Sequence, residues 1–432
     1  MSMTENKRPV AVVGTRRGGI ADMPQLVAAG RSGNALYPLD QASLIPLPTG
    51  SKLLQLPNRA AIAFHETRGP VRVGEHATAV AAFLPPGYVA LSLAAFDRDS
   101  TTTALPLYCY CTVCWHNGGF HVPAIRVDRD TKHDSCFFDI KKLEVKVRRR
   151  LKKQPGNRLL AHHGNVCALQ YHCPNAANLF LGRWEAPIAV SGGCNAGCRA
   201  CISKQTSGVD SPQQRIDFTP TISEILEIAV PHLQTAPKAI VSFGQGCEGE
   251  PLLRGKLIET AIREIRKQTH RGIIHLNTNG SAPEILKRLV NAGLDSVRIS
   301  LNSAREPLYS AYYRPRGYSF NDVLKSLRVA KAGGLWVSMN YLTFPGVTDA
   351  VPEVAAFFGL LEDLKPDMIQ WRNLNIDPDL YMKTVQKAYP DDDSGFIGLP
   401  ELMRRIRKKF PALRMGYFNP HGTWLSGKRK DS

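Results

Sequence analysis

The chain has 432 residues, of which 43% are hydrophobic and 21% are charged, and its formal net charge is +18. This composition indicates a globular protein with two or three cores. No apolar run reaches the ~20 residues of a membrane span, and the run at residues 10–13 is too short for a signal-peptide core. We therefore expect a cytoplasmic protein, whose ten cysteines suit metal ligation better than disulfides.

The positive charge is concentrated in three blocks, at residues 141–153, 404–409 and 428–430. Such fields attract polyanions, so RNA, a nucleotide or another anionic substrate is a candidate partner. Solvated helix faces and a solubilising tail explain the blocks equally well. A nucleic-acid partner is not favoured, because the blocks lack the interleaved aromatic residues on which single-stranded bases stack.

The first third of the chain is rich in proline, glycine and β-branched runs, and it predicts a β-rich domain over residues 1–145. An alternating segment, the turn Asn117-Gly118-Gly119 and a second apolar segment together predict a β-hairpin. The candidate strands are residues 52–56, 60–65, 89–93, 107–115 and 120–127. Residues 146–184 are expected to form a basic linker and a lead-in to the next domain.

Six cysteines precede residue 180, and they leave two interpretations open. One is a second metal or iron-sulfur site in this part of the chain, and the other is ordinary packing of buried thiols. Cys167 and Cys173 lie near three histidines in the sequence. The cysteines are Cys109, Cys111, Cys114, Cys136, Cys167 and Cys173, and the histidines are His162, His163 and His172.

The most informative motif is the CxxxCxxC run formed by Cys194, Cys198 and Cys201. Three thiolates on one loop can hold a four-iron cube but leave one iron without a protein ligand. A structural zinc site would need a fourth ligand at short spacing, whereas the next cysteine and histidine are Cys247 and His232. The motif resembles the signature of the radical S-adenosylmethionine (SAM) superfamily. That resemblance implies a [4Fe-4S] cluster whose open iron chelates SAM and whose electron releases a 5'-deoxyadenosyl radical.

Residues 185–378 repeat a pattern of apolar strand, loop and amphipathic helix six times. Thr221, Ser281 and Ser319 are candidate helix caps. The predicted strands are residues 186–190, 239–243, 272–276, 296–301, 336–342 and 368–376. Alternating units of this kind predict an α/β fold with a parallel sheet and ligands at the carboxyl ends of the strands. Six units resemble the partial (β/α)6 TIM-like barrel of the radical SAM superfamily. Residues 379–432 are expected to add a C-terminal helix and a basic tail.

The loop after the second of these strands carries Gly244, Gly246 and Gly249 in GxGxxG spacing. A dinucleotide site would need a carboxylate at the end of the next strand, where this chain has residues 277–280, Asn-Thr-Asn-Gly. The better match is Gly249-Glu250-Pro251, which resembles the GGEP element of the superfamily. The resemblance implies that Gly249 and Glu250 contact the ammonium group of SAM. A plain first-turn acid beside a proline is the alternative.

Weaker matches follow at later strand ends. Ser300 and Asn302 resemble the element that holds the ribose and carboxylate of SAM, and Arg314 resembles an arginine that meets the same carboxylate. Arg372 and Asn373, in a polar row on the sixth strand, are candidates for a substrate pocket.

The resemblance implies an enzyme that reductively cleaves SAM and abstracts hydrogen from an unidentified substrate, with an anionic compound as one option. It also implies a low-potential electron donor of flavodoxin or ferredoxin type. No cysteine follows Cys247, which argues against C-terminal auxiliary clusters such as those of molybdenum cofactor cyclases. The alternative is a non-catalytic iron-sulfur protein with a redox or regulatory role that binds SAM or RNA.

Overall fold

The computed structural model describes residues 8–99, 101–105, 107–205, 210–390 and 394–422. The basic block at residues 428–430 lies outside these ranges. Within them, no helix combines the length and the apolar character that crossing a bilayer requires.

The N-terminal part of the chain folds into an antiparallel sheet of 13 strands. Additional pairings of the second strand with the first, and of the fifth with the seventh, link parts of the sheet that are distant along its main path. The strands are β1 (Val10–Gly14), β2 (Ile20–Ser32), β3 (Ala35–Pro38), β4 (Leu44–Pro46), β5 (Lys52–His65), β6 (Gly69–Arg72), β7 (Thr78–Phe83), β8 (Tyr88–Ala90), β9 (Leu93–Ala94), β10 (Phe96–Asp97), β11 (Cys111–Thr112), β12 (Cys114–His116) and β13 (Gly119–Arg126).

The predicted hairpin is present. Strands β12 and β13 pair with His116 opposite Gly119, and the two turn residues, Asn117 and Gly118, both have positive φ angles, 46° and 76°. Positive φ angles at both central residues are typical of a type I′ turn, whose twist suits paired strands and which Asn-Gly adopts readily. The segment before the turn was wrongly predicted as one strand, because it is divided into β11 and β12. The separately predicted strands 52–56 and 60–65 are one strand, β5, whose register against β7 shifts between Gln55 and Ala60.

A helical segment joins the two sheets. The basic block at residues 141–153 forms an amphipathic helix that buries Leu143 and Val147, so the expected domain boundary after residue 145 lies inside a helix. A nine-residue π-helix follows, a rare element that occurs mostly as single turns and often at functional sites. The elements are α1 (Ile140–Lys153), α2 (Arg158–Ala161), the π-helix (His162–Gln170) and α3 (Pro174–Leu181).

The second sheet is parallel and has seven strands in sequential order. All six predicted strands are present, with ends that differ by up to three residues. The seventh, β20, pairs with β19 and was missed, because a three-residue strand carries no readable alternation. The strands are β14 (Glu185–Pro187), β15 (Ile240–Phe243), β16 (Ile273–Thr278), β17 (Ser296–Leu301), β18 (Trp336–Thr343), β19 (Met368–Asn373) and β20 (Arg414–Gly416).

Helices alternate with these strands, as expected for a partial α/β barrel. Thr221 and Ser319 cap their helices in complete capping boxes. Ser281 does not, because α6 begins one residue later, with Ala282 at the cap position and Pro283 in the first turn. The helices are α4 (Ile222–Thr235), α5 (Gly255–Gln268), α6 (Pro283–Ala292), α7 (Glu306–Tyr313), α8 (Phe320–Ala332), α9 (Val351–Leu364), α10 (Pro378–Ala388) and α11 (Leu399–Lys409).

The N-terminal sheet packs against the barrel through buried polar contacts. Arg59 and Asp377 form an ion pair at 2.5 Å, with side-chain exposures of 1% and 0%. Asn373, at the end of β19, accepts a hydrogen bond from the backbone of Ala90 and donates one to the carbonyl of Tyr88. The sheet therefore borders the barrel at the carboxyl ends of its strands.

Candidate functional site

The three cysteines of the CxxxCxxC motif lie on the loop that follows β14. All three are half-buried. Burial raises the pKa of Cys194 and Cys198, and at Cys198 the neighbouring thiols Cys201 and Cys194 raise it further. Burial also acts on Cys201, but hydrogen bonds from Ser203 and Arg215 outweigh it and lower the pKa of that thiol. The structure thus brings the three thiols close enough to affect one another's charge.

The backbone of residues 311–316 holds the cysteine loop from one side. The N–H of Gly197 donates to the carbonyl of Tyr313 over 2.8 Å, and the N–H of Arg199 donates to Tyr312 over 3.1 Å. In return, the N–H of Arg316 donates to the carbonyl of Asn195 over 2.9 Å. The loop therefore has a fixed shape that depends on a segment more than 100 residues further along the chain.

The glycine loop after β15 holds the cysteine loop from the other side. The N–H of Gly249 donates to Ser191 over 2.6 Å, and that of Glu250 donates to Gly193 over 2.9 Å. A Cβ atom on Gly249 would lie 1.9 Å from the carbonyl oxygen of Gly193, a distance that no side chain tolerates. Glycine is thus required here because two backbones meet without space for a side chain.

Glu250 is buried, and its carboxylate joins the glycine loop to the end of β16. It accepts hydrogen bonds from the backbone N–H of Leu252 at 3.0 Å, the N–H of Asn279 at 2.8 Å and the hydroxyl of Thr278. Burial raises the pKa of Glu250 to about 7. The carboxylate thus caps the turn that begins at Pro251, the alternative role considered for it, and it is also next to the cysteine loop.

Glu248 is a buried residue that sequence reasoning missed. Its carboxylate accepts four backbone hydrogen bonds of 2.6 to 3.1 Å, from Val190, Ser191, Gly244 and Gln245. Burial raises its pKa to about 7. Because the four donors come from the ends of two neighbouring strands, Glu248 fixes the glycine loop against the start of the cysteine loop.

The remaining predicted SAM-binding residues have different surroundings. Arg314 is exposed and donates through Nε to the carbonyl of Gly197 at 2.6 Å, directly beside the cysteine motif. Ser300 accepts a hydrogen bond from Asn340 at 3.0 Å, on the inner face of the barrel. Asn302 is buried and donates to the hydroxyl of Tyr381 and the carbonyl of Leu308, so its amide nitrogen is used within the helical layer.

The chemistry around the cysteines fits a four-iron cube held by three thiolates. A cavity of about 470 Å³ is lined by Cys198 and Cys201 together with four cationic side chains. A cube with three thiolate ligands carries net negative charge, which cationic side chains offset. The cationic side chains are Lys204, Arg215, Arg314 and Arg316.

A second cavity, of about 440 Å³, lies inside the barrel mouth between the parallel sheet and the N-terminal sheet. Arg298, Arg372 and Glu185 are among the residues that line it. Burial, with Arg372 nearby, lowers the pKa of Arg298 to about 9. Among the residues that the structure describes, the buried Nε atoms of Arg298 and Arg372 have no hydrogen-bond partner. Two arginine side chains thus line the cavity, and each contains one buried nitrogen that is unpaired among the described residues.

Residues 188–358 match the family model described as the radical SAM superfamily. GTP 3',8-cyclase of Staphylococcus saprophyticus is 30% identical over 39% of this chain and 49% of its own length. Molybdenum cofactor biosynthesis protein 1 of Mus musculus is 28% identical over 52% of this chain and 32% of its own. The chain spans about half the length of the GTP 3',8-cyclases that it matches.

Two solved structures show lower similarity. Methylornithine synthase is 15% identical with a TM-score of 0.36, and the match covers 64% of this chain and 71% of that one. A radical SAM methyltransferase from Sphaerobacter thermophilus is 17% identical with a TM-score of 0.38, and the match covers 55% and 67%. On the cysteine motif and the family model, residues 188–358 of this chain form a radical SAM domain, and enzymes of that superfamily use a [4Fe-4S] cluster and SAM.

Proposed function

We propose that this chain is an enzyme that cleaves SAM reductively and uses the resulting radical to abstract hydrogen from an anionic substrate in the barrel cavity. The supporting observation is the position of the three-cysteine loop, which backbone hydrogen bonds tie to the glycine loop and to residues 312–316. These segments meet at the carboxyl ends of parallel strands, where barrel enzymes bind their ligands.

Cys194, Cys198 and Cys201 would hold the cluster, which when bound supplies the electron that breaks a carbon-sulfur bond of SAM. Gly249 and Glu250 fix the adjoining loop, and Arg314 offers a guanidinium at its edge. Arg314 donates through Nε to Gly197, and its two terminal nitrogens would meet a carboxylate. We assign Ser300 and Asn302 to the same cofactor site on resemblance alone.

The charge of the barrel cavity supports an anionic substrate. Arg298 donates to Gln370 at 3.3 Å and Arg372 donates to the carbonyl of Tyr417 at 2.8 Å, and the buried Nε atom of each has no partner in the described part of the chain. Glu185 is the nearby counter-charge, and Ser242, Gln245 and Asn419 already donate to it. A phosphate or carboxylate would pair with the arginines. The similar proteins named GTP 3',8-cyclase suggest a purine nucleotide as the first compound to test.

The proposal is tested by anaerobic reconstitution followed by reduction in the presence of SAM. Wild-type protein should contain about four irons per chain at this loop and release 5'-deoxyadenosine, with dithionite or a reduced flavodoxin as electron donor. Cys198→Ala should lose the cluster and the product. The exposed Cys136 provides the matched control, since Cys136→Ala should keep both.

Two outcomes would overturn the proposal. A protein that binds the full cluster and SAM but releases no 5'-deoxyadenosine would favour the non-catalytic redox or regulatory alternative. Normal release of 5'-deoxyadenosine from Cys198→Ala would instead remove the cysteine motif from the site.

A further inference from the structure

A second group of metal-ligand side chains lies in the wall of the barrel cavity, outside the cysteine motif. One ring nitrogen of His162 and the sulfur atoms of Cys167 and Cys247 all lie within 4.8 Å of one another. Cys167 and Cys247 are 1% and 5% exposed, and both line the cavity. The three residues come from two elements, because His162 and Cys167 belong to the π-helix and Cys247 to the glycine loop.

The π-helix explains why His162 and Cys167 meet. In an α-helix, residues five apart point about 140° away from each other. The wider turn of a π-helix closes through i to i+5 hydrogen bonds, as in the 2.9 Å bond from the N–H of Tyr171 to the carbonyl of Val166. Residues five apart then approach the same face, so the rare helix form aims a histidine and a cysteine at one point.

One polar atom of this group lacks a hydrogen-bond partner among the described residues. It is the Nε2 atom of His162, which is buried. Packing alone would leave a buried nitrogen unpaired next to two thiols, which has a cost. A cation would pair with the nitrogen and stabilise both thiolates.

The spacing identifies the kind of metal. Zinc-sulfur bonds of about 2.3 Å in a tetrahedron place two sulfurs about 3.8 Å apart, which agrees with a group confined within 4.8 Å. A four-iron cube binds its cysteines on separate irons and needs them further apart. Two thiolates and an imidazole with one open position form a known zinc donor set.

We propose that His162, Cys167 and Cys247 bind a single Zn²⁺ ion in the wall of the barrel cavity, with its fourth coordination position open to the cavity. The ion would face the same space as Arg298 and Arg372. Because two thiolates balance its charge, the ion would add no net charge to the candidate substrate site but would offer a Lewis-acidic position there. The proposal does not depend on SAM cleavage, because none of its ligands belongs to the cysteine motif.

The test is metal content and cobalt spectroscopy on the full chain. Wild-type protein should hold about one zinc per chain, and replacement with Co²⁺ should give the strong visible bands of a tetrahedral thiolate site. Adding azide should shift those bands, because an open position faces the cavity. His162→Ala and Cys247→Ser should each lose the zinc and the bands, whereas Cys111→Ala, a buried cysteine of β11, should keep both.

Thermal melting distinguishes a variant that has lost metal binding from one that fails to fold. Excess zinc should raise the melting temperature of zinc-stripped wild-type protein, as binding to the native state requires, and should leave Cys247→Ser unchanged. Equal cobalt binding by wild type and Cys247→Ser would overturn the proposal, and so would a cobalt spectrum that azide does not change. About four irons retained by Cys198→Ala would also overturn it, since that result would indicate a second cube in place of a single ion.

Discussion

Asn279 and Asn195 join the end of a central strand to the cysteine loop. The side-chain Nδ2 of Asn279 donates to Oδ1 of Asn195 over 2.8 Å, while the backbone N–H of Asn279 donates to Glu250. Asn279 follows β16, and Asn195 lies between the first two cysteines of the motif. Asn279 thus connects the cysteine loop, through Asn195, to the glycine loop, through Glu250.

Replacing Asn279 with alanine should impair SAM cleavage while leaving cluster binding intact. The thiols remain, but one hydrogen bond that orients their loop is lost, so the rate should fall about two- to tenfold. Asn195→Ala should have the same effect, and the double variant should be no worse than either single one, because both remove one contact. The measurements are iron content and the rate of 5'-deoxyadenosine release.

Asn291 on the exposed side of α6 is the matched control for that experiment. Asn291→Ala removes an amide of the same size far from the cysteine loop and should leave the rate unchanged. Additive losses from Asn279→Ala and Asn195→Ala would show that the two amides act independently.

The sequence supports some of these features and not others, for physical reasons. Ser296–Leu301 was predicted with its observed ends, since polar and apolar side chains alternate along it, the pattern that marks a strand. The Asn117-Gly118 turn was predicted because this pair of residues favours a two-residue hairpin turn whatever surrounds it. By contrast, the π-helix depends on how residues 162–170 pack. The role of Glu248 depends on four backbone donors from two strand ends, and neither feature has a local signal.

The ion pair of Arg59 with Asp377 should be essential for docking the N-terminal sheet on the barrel. Arg59→Met leaves the Asp377 carboxylate buried without its counter-charge, which should lower the free energy of unfolding by about 3–5 kcal/mol. Urea denaturation measures the loss. Arg72→Met, which removes an exposed pair with Asp97 at 3.8 Å, should cost less than about 1 kcal/mol. Equal effects of the two substitutions would contradict the assigned role.

Arg298→Gln and Arg372→Gln should each weaken the binding of an anionic ligand in the barrel cavity. A charge-assisted hydrogen bond contributes about 1.5–3 kcal/mol, so affinity should fall about tenfold or more. GTP is the probe, and calorimetry gives its dissociation constant for each protein. Arg126→Gln removes an exposed arginine of β13 and should leave the constant unchanged. A wild-type-like constant for both cavity variants would exclude the arginines from the binding site.

Glu224 makes the stability of the chain depend on pH. It accepts from Nε of Arg158 at 2.9 Å and from Nη2 at 2.8 Å, and these hydrogen bonds lower its pKa to about 2. Between about pH 2 and 4.5 the unfolded chain binds a proton that the native state does not, so stability falls as the pH is lowered through this range.

The free energy of unfolding of Glu224→Gln should therefore be lower than that of wild type by about 1–3 kcal/mol at pH 7. This difference should become smaller as the pH falls from about 4.5 towards 2. Urea denaturation of both proteins at pH 7 and pH 3 measures the difference at each pH. Glu259→Gln on α5, which breaks pairs with the half-exposed Arg263 and Arg288, should change stability by less than about 1 kcal/mol. A group makes stability depend on pH only if its pKa differs between the native and unfolded states. An equal difference in the free energy of unfolding at pH 7 and pH 3 would therefore mean that the ionised Glu224 carboxylate does not stabilise the native state.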